Sequence, residues 1–243
     1  MVTTISRDEF ITRRFDHKPG NNVTVLGHNG SGKTVLAYQL LESVISPDLP
    51  AWSLVMKPED PEVVRWGKAL NLPRAKTWPS LSRRLPWRAR TNGHTIWPVL
   101  GDDPLGEDER LYWTMRAALS DGYRRKGHRI IFADELAGLT HDTEVPKGEP
   151  PLERFLRPLW TRGRTLGRGL WVASQRPAYI PGHAYSEAHH LFLFRQRDER
   201  DRKRLAEIAG SVDKRMVSEL VAGLPDYHAL YVRIDGRYAI IGP

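Results

Sequence analysis

Residues Gly27-His28-Asn29-Gly30-Ser31-Gly32-Lys33-Thr34 restrict this chain more than any other stretch. They follow an apolar run, Val23 to Leu26, and open a segment from Lys33 to about Val44 with helical character. A buried strand, a glycine-rich turn and a helix in that order make a cradle for phosphate. The glycines let backbone N–H groups curl around an anion, and the helix N-terminus adds the positive end of its dipole. In such a cradle Lys33 reaches the β- and γ-phosphates of a nucleoside triphosphate, and Thr34 offers its hydroxyl to Mg²⁺.

The surrounding pattern is that of an α/β protein. Ser6 and Glu9 have capping-box spacing, so a helix is predicted from Ser6 to Arg14. Further apolar runs at Trp52 to Met56, Ile130 to Ala133, Leu170 to Ala173 and His190 to Phe194 read as buried strands. Helices are predicted over Leu111 to Arg125, Leu152 to Leu166, about Arg200 to Ala209 and Asp213 to Ala222, with Pro158 kinking or interrupting the second. His228 to Ile234 and Tyr238 to Ile241, joined at Asp235-Gly236, predict a C-terminal β-hairpin. Alternating strands and helices imply a mostly parallel sheet with helices on both faces. Thr140 to Pro151 reads as a mobile loop, and Arg74 to Gly106 is weakly patterned, with a hairpin expected around Asn92-Gly93.

Length and composition narrow the classes. With 243 residues, 40% of them hydrophobic, the expectation is one domain over residues 1–243. The absence of cysteine excludes a disulfide framework and thiolate metal sites. No apolar run approaches the ~20 residues of a membrane span, and Met1 to Phe15 lacks the apolar core of a signal peptide, so the expected location is cytoplasmic. A net charge of +8, with 28 arginines among 37 basic residues, suits a phosphate polyanion as partner, or a solvated arginine-rich surface.

Three more segments carry candidate chemistry. The third apolar run ends in Asp134-Glu135: Asp134 is the expected Mg²⁺ carboxylate and Glu135 the general base that polarises the attacking water. A second acid of this kind argues against a GTPase or a small-molecule kinase. The fourth run ends in Ser174-Gln175-Arg176-Pro177, where the Gln175 amide could sense the γ-phosphate or hold the water. Upstream, Arg162, Arg164 and Arg168 fall within seven residues. Arg164, with Arg162 in reserve, is the candidate to stabilise transferred charge at a neighbouring subunit.

Taken together these residues resemble the FtsK–HerA superfamily of DNA-pumping ATPases, and especially phage genome-packaging ATPases. The resemblance rests on Gly27 to Thr34, on Ile130-Ile131-Phe132-Ala133-Asp134-Glu135, and on Gly163-Arg164 followed by Gly169-Leu170-Trp171-Val172-Ala173-Ser174-Gln175-Arg176-Pro177. Met56-Lys57-Pro58 looks like a worn form of the family's Asp-Pro-Lys segment, and Leu224-Pro225 with the terminal hairpin also fits. The likeness covers about residues 15–243; residues 74–106 look like a family-specific insertion.

The resemblance implies a RecA-like (ASCE) P-loop NTPase fold, ATP and Mg²⁺ as ligands, and a homo-oligomeric ring of five or six subunits that moves double-stranded DNA. It implies no stable membrane insertion, and a portal or capsid vertex protein as a possible docking partner. A viral enzyme would then work in the host cytoplasm or on the virion. Thr140 to Pro151, or Arg83 to Arg90 with Trp87 among four arginines, are candidate DNA contacts. The alternatives are a conjugation- or repair-type DNA translocase, or a virion-assembly or export ATPase acting on protein.

Overall fold

Every apolar run picked out above becomes a strand, and the strands join into one sheet. The structure, a computed structural model, describes residues 4–57, 60–75, 91–98, 104–208 and 212–243; Arg83 to Arg90 lie outside them. The strands are β1 (Thr4–Ser6), β2 (Val23–Leu26), β3 (Ala51–Leu54), β4 (Arg74–Ala75), β5 (Gly93–Ile96), β6 (Arg129–Ala133), β7 (Arg168–Ser174), β8 (His190–Phe194), β9 (Ala229–Arg233) and β10 (Tyr238–Gly242). The helices are α1 (Arg7–Arg13), α2 (Lys33–Glu42), α3 (Pro61–Ala69), α4 (Pro104–Arg124), α5 (Glu153–Arg162), α6 (His183–Ser186), α7 (Glu199–Ile208) and α8 (Lys214–Gly223).

Among the described residues the order across the sheet is β1-β10-β9-β8-β2-β7-β6-β3-β5-β4. The block from β8 to β4 is parallel throughout, and β9 and β10 form the antiparallel hairpin expected at the C-terminus. β2, β3, β6, β7 and β8 are buried at every position, because helices cover both faces. Alternate side chains go to opposite cores. Val23, Val25, Ile130, Phe132, Trp171 and Ala173 pack with α1 and α2, whereas Leu26, Ile131, Ala133, Leu170 and Val172 pack with α4, α5, α7 and α8.

Local chemistry sets the element ends. Ser6 caps α1 by accepting from the Glu9 N–H, as the capping-box spacing predicts. Pro158 neither breaks nor ends its helix: α5 runs from 153 to 162, and Leu156, Leu159 and Trp160 on its core side are buried. Burial of that face outweighs the one backbone hydrogen bond that proline removes. Trp66 stacks on Tyr38 with ring centroids 5.7 Å apart, while Trp113 stays partly exposed beneath Arg116.

Two further expectations are corrected. The hairpin at Asn92-Gly93 does not form; Gly93 opens β5, which is parallel to both β3 and β4. Glycine is needed there because φ is +135° and a Cβ would lie 1.8 Å from the Ala51 carbonyl oxygen. The segment Thr140 to Pro151 is not a free loop throughout. Its start belongs to a π-helical turn over Gly138–Asp142, and near its end Glu149 pairs with Arg116 while the Pro150 carbonyl accepts from the Tyr112 hydroxyl.

Candidate functional site

Because β2, β7, β6 and β3 are parallel, their carboxyl ends open on one rim of the sheet, and the polar residues that end each run meet there. The glycine loop leaves β2 at Leu26 and enters α2 at Lys33. Gly30 and Gly32 take φ of +75° and +93°, values that favour glycine. Gly27 has no room for a side chain, since a Cβ would lie 2.5 Å from Ser31 Oγ and 2.7 Å from Phe194 Cβ. At Gly30, by contrast, an added Cβ would meet no atom within 4 Å, so the loop's crest faces open space. Ser31 Oγ is buried without a hydrogen-bond partner.

Lys33 is buried under this loop, and its ammonium lies in the field of Glu135 and Asp134. Burial pulls its proton affinity below the usual lysine range; Glu135 pulls it back up, and Lys57 opposes. Asp134, at the end of β6, accepts from the Met56 N–H at the end of β3 (3.0 Å). Burial pushes its carboxyl up to about 7, against that hydrogen bond and with help from Glu135 and Asp60. A buried carboxylate held that high gains from a cation, and its oxygens are hard donors of the kind that Mg²⁺ takes. The residues present therefore fit the metal.

Glu135 faces β7. Its Oε1 accepts from Ser174 Oγ at 2.7 Å, and its two oxygens sit 3.4 and 3.3 Å from the Gln175 N–H. The structure thus brings Lys33, Asp134, Glu135 and the Gln175 backbone into one cluster. Three residues in it were not singled out for a role: Ser174, which holds the Glu135 carboxylate, Lys57, which repels Lys33, and Met56, whose N–H holds Asp134. The first sits in the Ser-Gln pair that ends the fourth apolar run, so its position, though not its partner, was visible.

Arg162 and Arg164 are not brought to this cluster. Both are exposed, before the amino end of β7 and so across the sheet from the glycine loop. Gly163 between them is fixed by packing, for a Cβ would lie 2.2 Å from the Leu159 carbonyl oxygen. Gly20, just before β2, lies against the Arg164 backbone, where a Cβ would be 2.6 Å from the Arg164 carbonyl oxygen. Neither arginine can serve the Lys33 cluster of its own chain. Among the described residues, no helix is long and apolar enough to cross a membrane.

No protein-family model and no curated protein matches the sequence. Solved structures do match. The genome packaging NTPase B204 from Sulfolobus turreted icosahedral virus 2, in complex with AMP, gives a TM-score of 0.62 at 16% identity, covering 93% of this chain and 99% of that one. VirB4 of Thermoanaerobacter pseudethanolicus gives 0.64 at 12% identity, covering 91% and 88%. The pCW3 conjugation coupling protein TcpA, with ATPgS, gives 0.54 at 17% identity, covering 91% of this chain and 59% of that one. This likeness is one of fold, and the fold is the RecA-like P-loop α/β fold.

Proposed function

We propose that this chain is an ATP-hydrolysing motor that works as a homo-oligomeric ring and moves double-stranded DNA, as a viral genome-packaging ATPase would. The observation that carries the reading is the meeting of Lys33, Asp134 and Glu135 on one rim, with Glu135 tied to Ser174, which ends β7, and to Gln175 just beyond it. The match to B204 over nearly the whole of both chains supports it.

In this reading Gly27, His28, Asn29, Gly30, Ser31 and Gly32 wrap the phosphates with backbone N–H groups, and Lys33 holds the β- and γ-phosphates. Thr34 and Asp134 hold Mg²⁺, which when bound neutralises charge developing on the phosphate oxygens. Glu135 takes the proton of the attacking water, a role worth about 10²–10⁴ in rate. Gln175 reports the γ-phosphate, and Ser174 keeps the Glu135 carboxylate aimed. Arg164, or Arg162, serves the site of a neighbouring subunit. Residues 1–243 act as one domain, in the host cytoplasm or on the virion, and a portal or capsid vertex protein would dock the ring.

The test is ATPase activity measured with and without duplex DNA, alongside oligomer mass. The expected result is stimulation by duplex DNA in a ring-sized oligomer, with DNA affinity falling as salt rises. Hydrolysis without stimulation by any nucleic acid would replace the DNA motor with an ATPase acting on protein. A conjugation-type translocase is the second reading, favoured by the fold match to VirB4 and TcpA; stimulation by single-stranded rather than duplex DNA would select it.

A further inference from the structure

Lys33, Asp134 and Glu135 fix the terminal-phosphate end of a bound nucleotide on the β7–β6 side of the glycine loop. A triphosphate threaded through Gly27 to Thr34 therefore delivers its base on the other side of β2, towards β8 and β9. β8 is parallel to β2, and β9 is antiparallel to β8 with Ala229 opposite Phe194. The turn that leads into β9 thus opens on the same rim as the glycine loop. Its exposed aromatic residue is Tyr227.

Tyr227 is one of two non-glycine residues with positive φ among those described, at +61°. The His228 N–H donates to the Pro225 carbonyl (3.2 Å), closing a four-residue turn whose third position, Tyr227, is one where glycine is usual. The ring reaches the phosphate loop: a Cβ on Gly32 would lie 3.2 Å from Tyr227 Cδ1. Even so, Tyr227 is 55% exposed, so folding gains little from its burial. The turn is braced from two sides. Arg7 donates to the Tyr227 carbonyl (3.1 Å) and to Gln39 Oε1 on α2 (3.2 Å), and Arg195 pairs with Asp226. A large aromatic held in an unfavourable backbone conformation, exposed, and braced against the phosphate loop marks a site kept for a ligand.

We infer that the Tyr227 ring is the platform on which the nucleobase of the bound nucleotide stacks, with Arg7 as a positioning residue that fixes the turn. This rests on the reading of Gly27 to Thr34 as a triphosphate site. Stacking tolerates any base, because each has a π-face. The platform therefore selects nucleotides over bare polyphosphate and does not separate ATP from GTP.

The experiment measures binding of ATP, GTP and inorganic tripolyphosphate, each with Mg²⁺, to the full chain and to Tyr227→Gly, Tyr227→Phe and Arg7→Ala. Tyr227→Gly should weaken ATP and GTP alike, by about 5- to 150-fold, the range of one base–aromatic stack. It should leave tripolyphosphate unchanged and should not lower the melting temperature, since glycine relieves the left-handed backbone. Tyr227→Phe should match the parent, and Arg7→Ala should weaken nucleotides while sparing tripolyphosphate. Wild-type ATP affinity in Tyr227→Gly, loss of affinity in Tyr227→Phe, or a parallel loss of tripolyphosphate would each overturn the platform. A parent chain that binds neither ATP nor tripolyphosphate would overturn the triphosphate site itself.

Discussion

Glu135 leaves β6 with both carboxylate oxygens turned towards β7, where Ser174 Oγ and the Gln175 N–H donate to it. A base aimed this way is sensitive to its charge and to its partner, and the two can be separated. Glu135→Gln keeps the shape and can still accept from Ser174, so ATP binding should persist while turnover falls at least ~100-fold. Equilibrium binding beside single-turnover hydrolysis checks this; parent-like turnover would remove Glu135 from the chemistry. Ser174→Ala keeps the carboxylate but leaves only the longer contacts from the Gln175 N–H to aim it. It should lower kcat with KM unchanged and cost about 1 kcal/mol of stability, the worth of one buried hydrogen bond. The identities of Lys33, Asp134 and Glu135 could be read from the sequence because each sits at a fixed place relative to its own strand or turn. The Ser174–Glu135 contact joins residues 39 apart, and no local spacing encodes it.

β2, β6, β7 and β8 were readable to within one or two residues because strands buried on both faces are unbroken apolar runs between turns. β5 was misread for the complementary reason. Asn92-Gly93 resembles a hairpin turn locally, whereas the demand on Gly93 comes from β3, a strand some forty residues earlier. The ladder partner of a parallel strand is always remote, so sequence shows that a strand exists but not where it docks. The three-residue β1, paired with β10 at the far end of the chain, is too short to show a period at all. The packing at Gly93 gives a direct test. Gly93→Ala would force a Cβ against the Ala51 carbonyl in a backbone conformation alanine avoids, so β5 should shift and the protein lose roughly 3 kcal/mol or more. Thermal unfolding checks this; a melting temperature equal to the parent's would mean that β5 pairs differently.

The molecule as a whole has two rims, and different chemistry sits on each. On the rim opposite the glycine loop, burial holds His17 down to about 4 and His190 to about 3. Unfolding returns both towards 6.5, so the unfolded chain binds more protons below that pH. Their contribution is complete above about pH 6.5 and is lost as pH falls towards 4, about 2 kcal/mol each between pH 7 and 5. Unfolding at those two pH values should show the loss, and His190→Gln should roughly halve it, leaving the share of His17. Arg164 lies towards this same rim, separated from Lys33 by the length of β7, about 20 Å for seven residues. That span exceeds any arginine side chain, so if Arg164 acts in catalysis it must act on the site of another subunit. Two inactive variants can decide this. Arg164→Ala retains an intact Glu135 but supplies no arginine, whereas Glu135→Gln has a dead site but can still lend its Arg164 to a neighbour. Each alone should hydrolyse ATP poorly. Mixed in equal amounts under conditions of subunit exchange, they should recover activity at interfaces where an intact Glu135 meets an intact Arg164, up to about one site in four if sites fire independently. An arginine acting within its own chain, or one that only contacts DNA phosphates, gives no such recovery. Mixed rings confirmed by mass yet no more active than the separate variants would therefore remove Arg164 from the reaction, and repeating the mixture with Arg162→Ala would then test the other arginine.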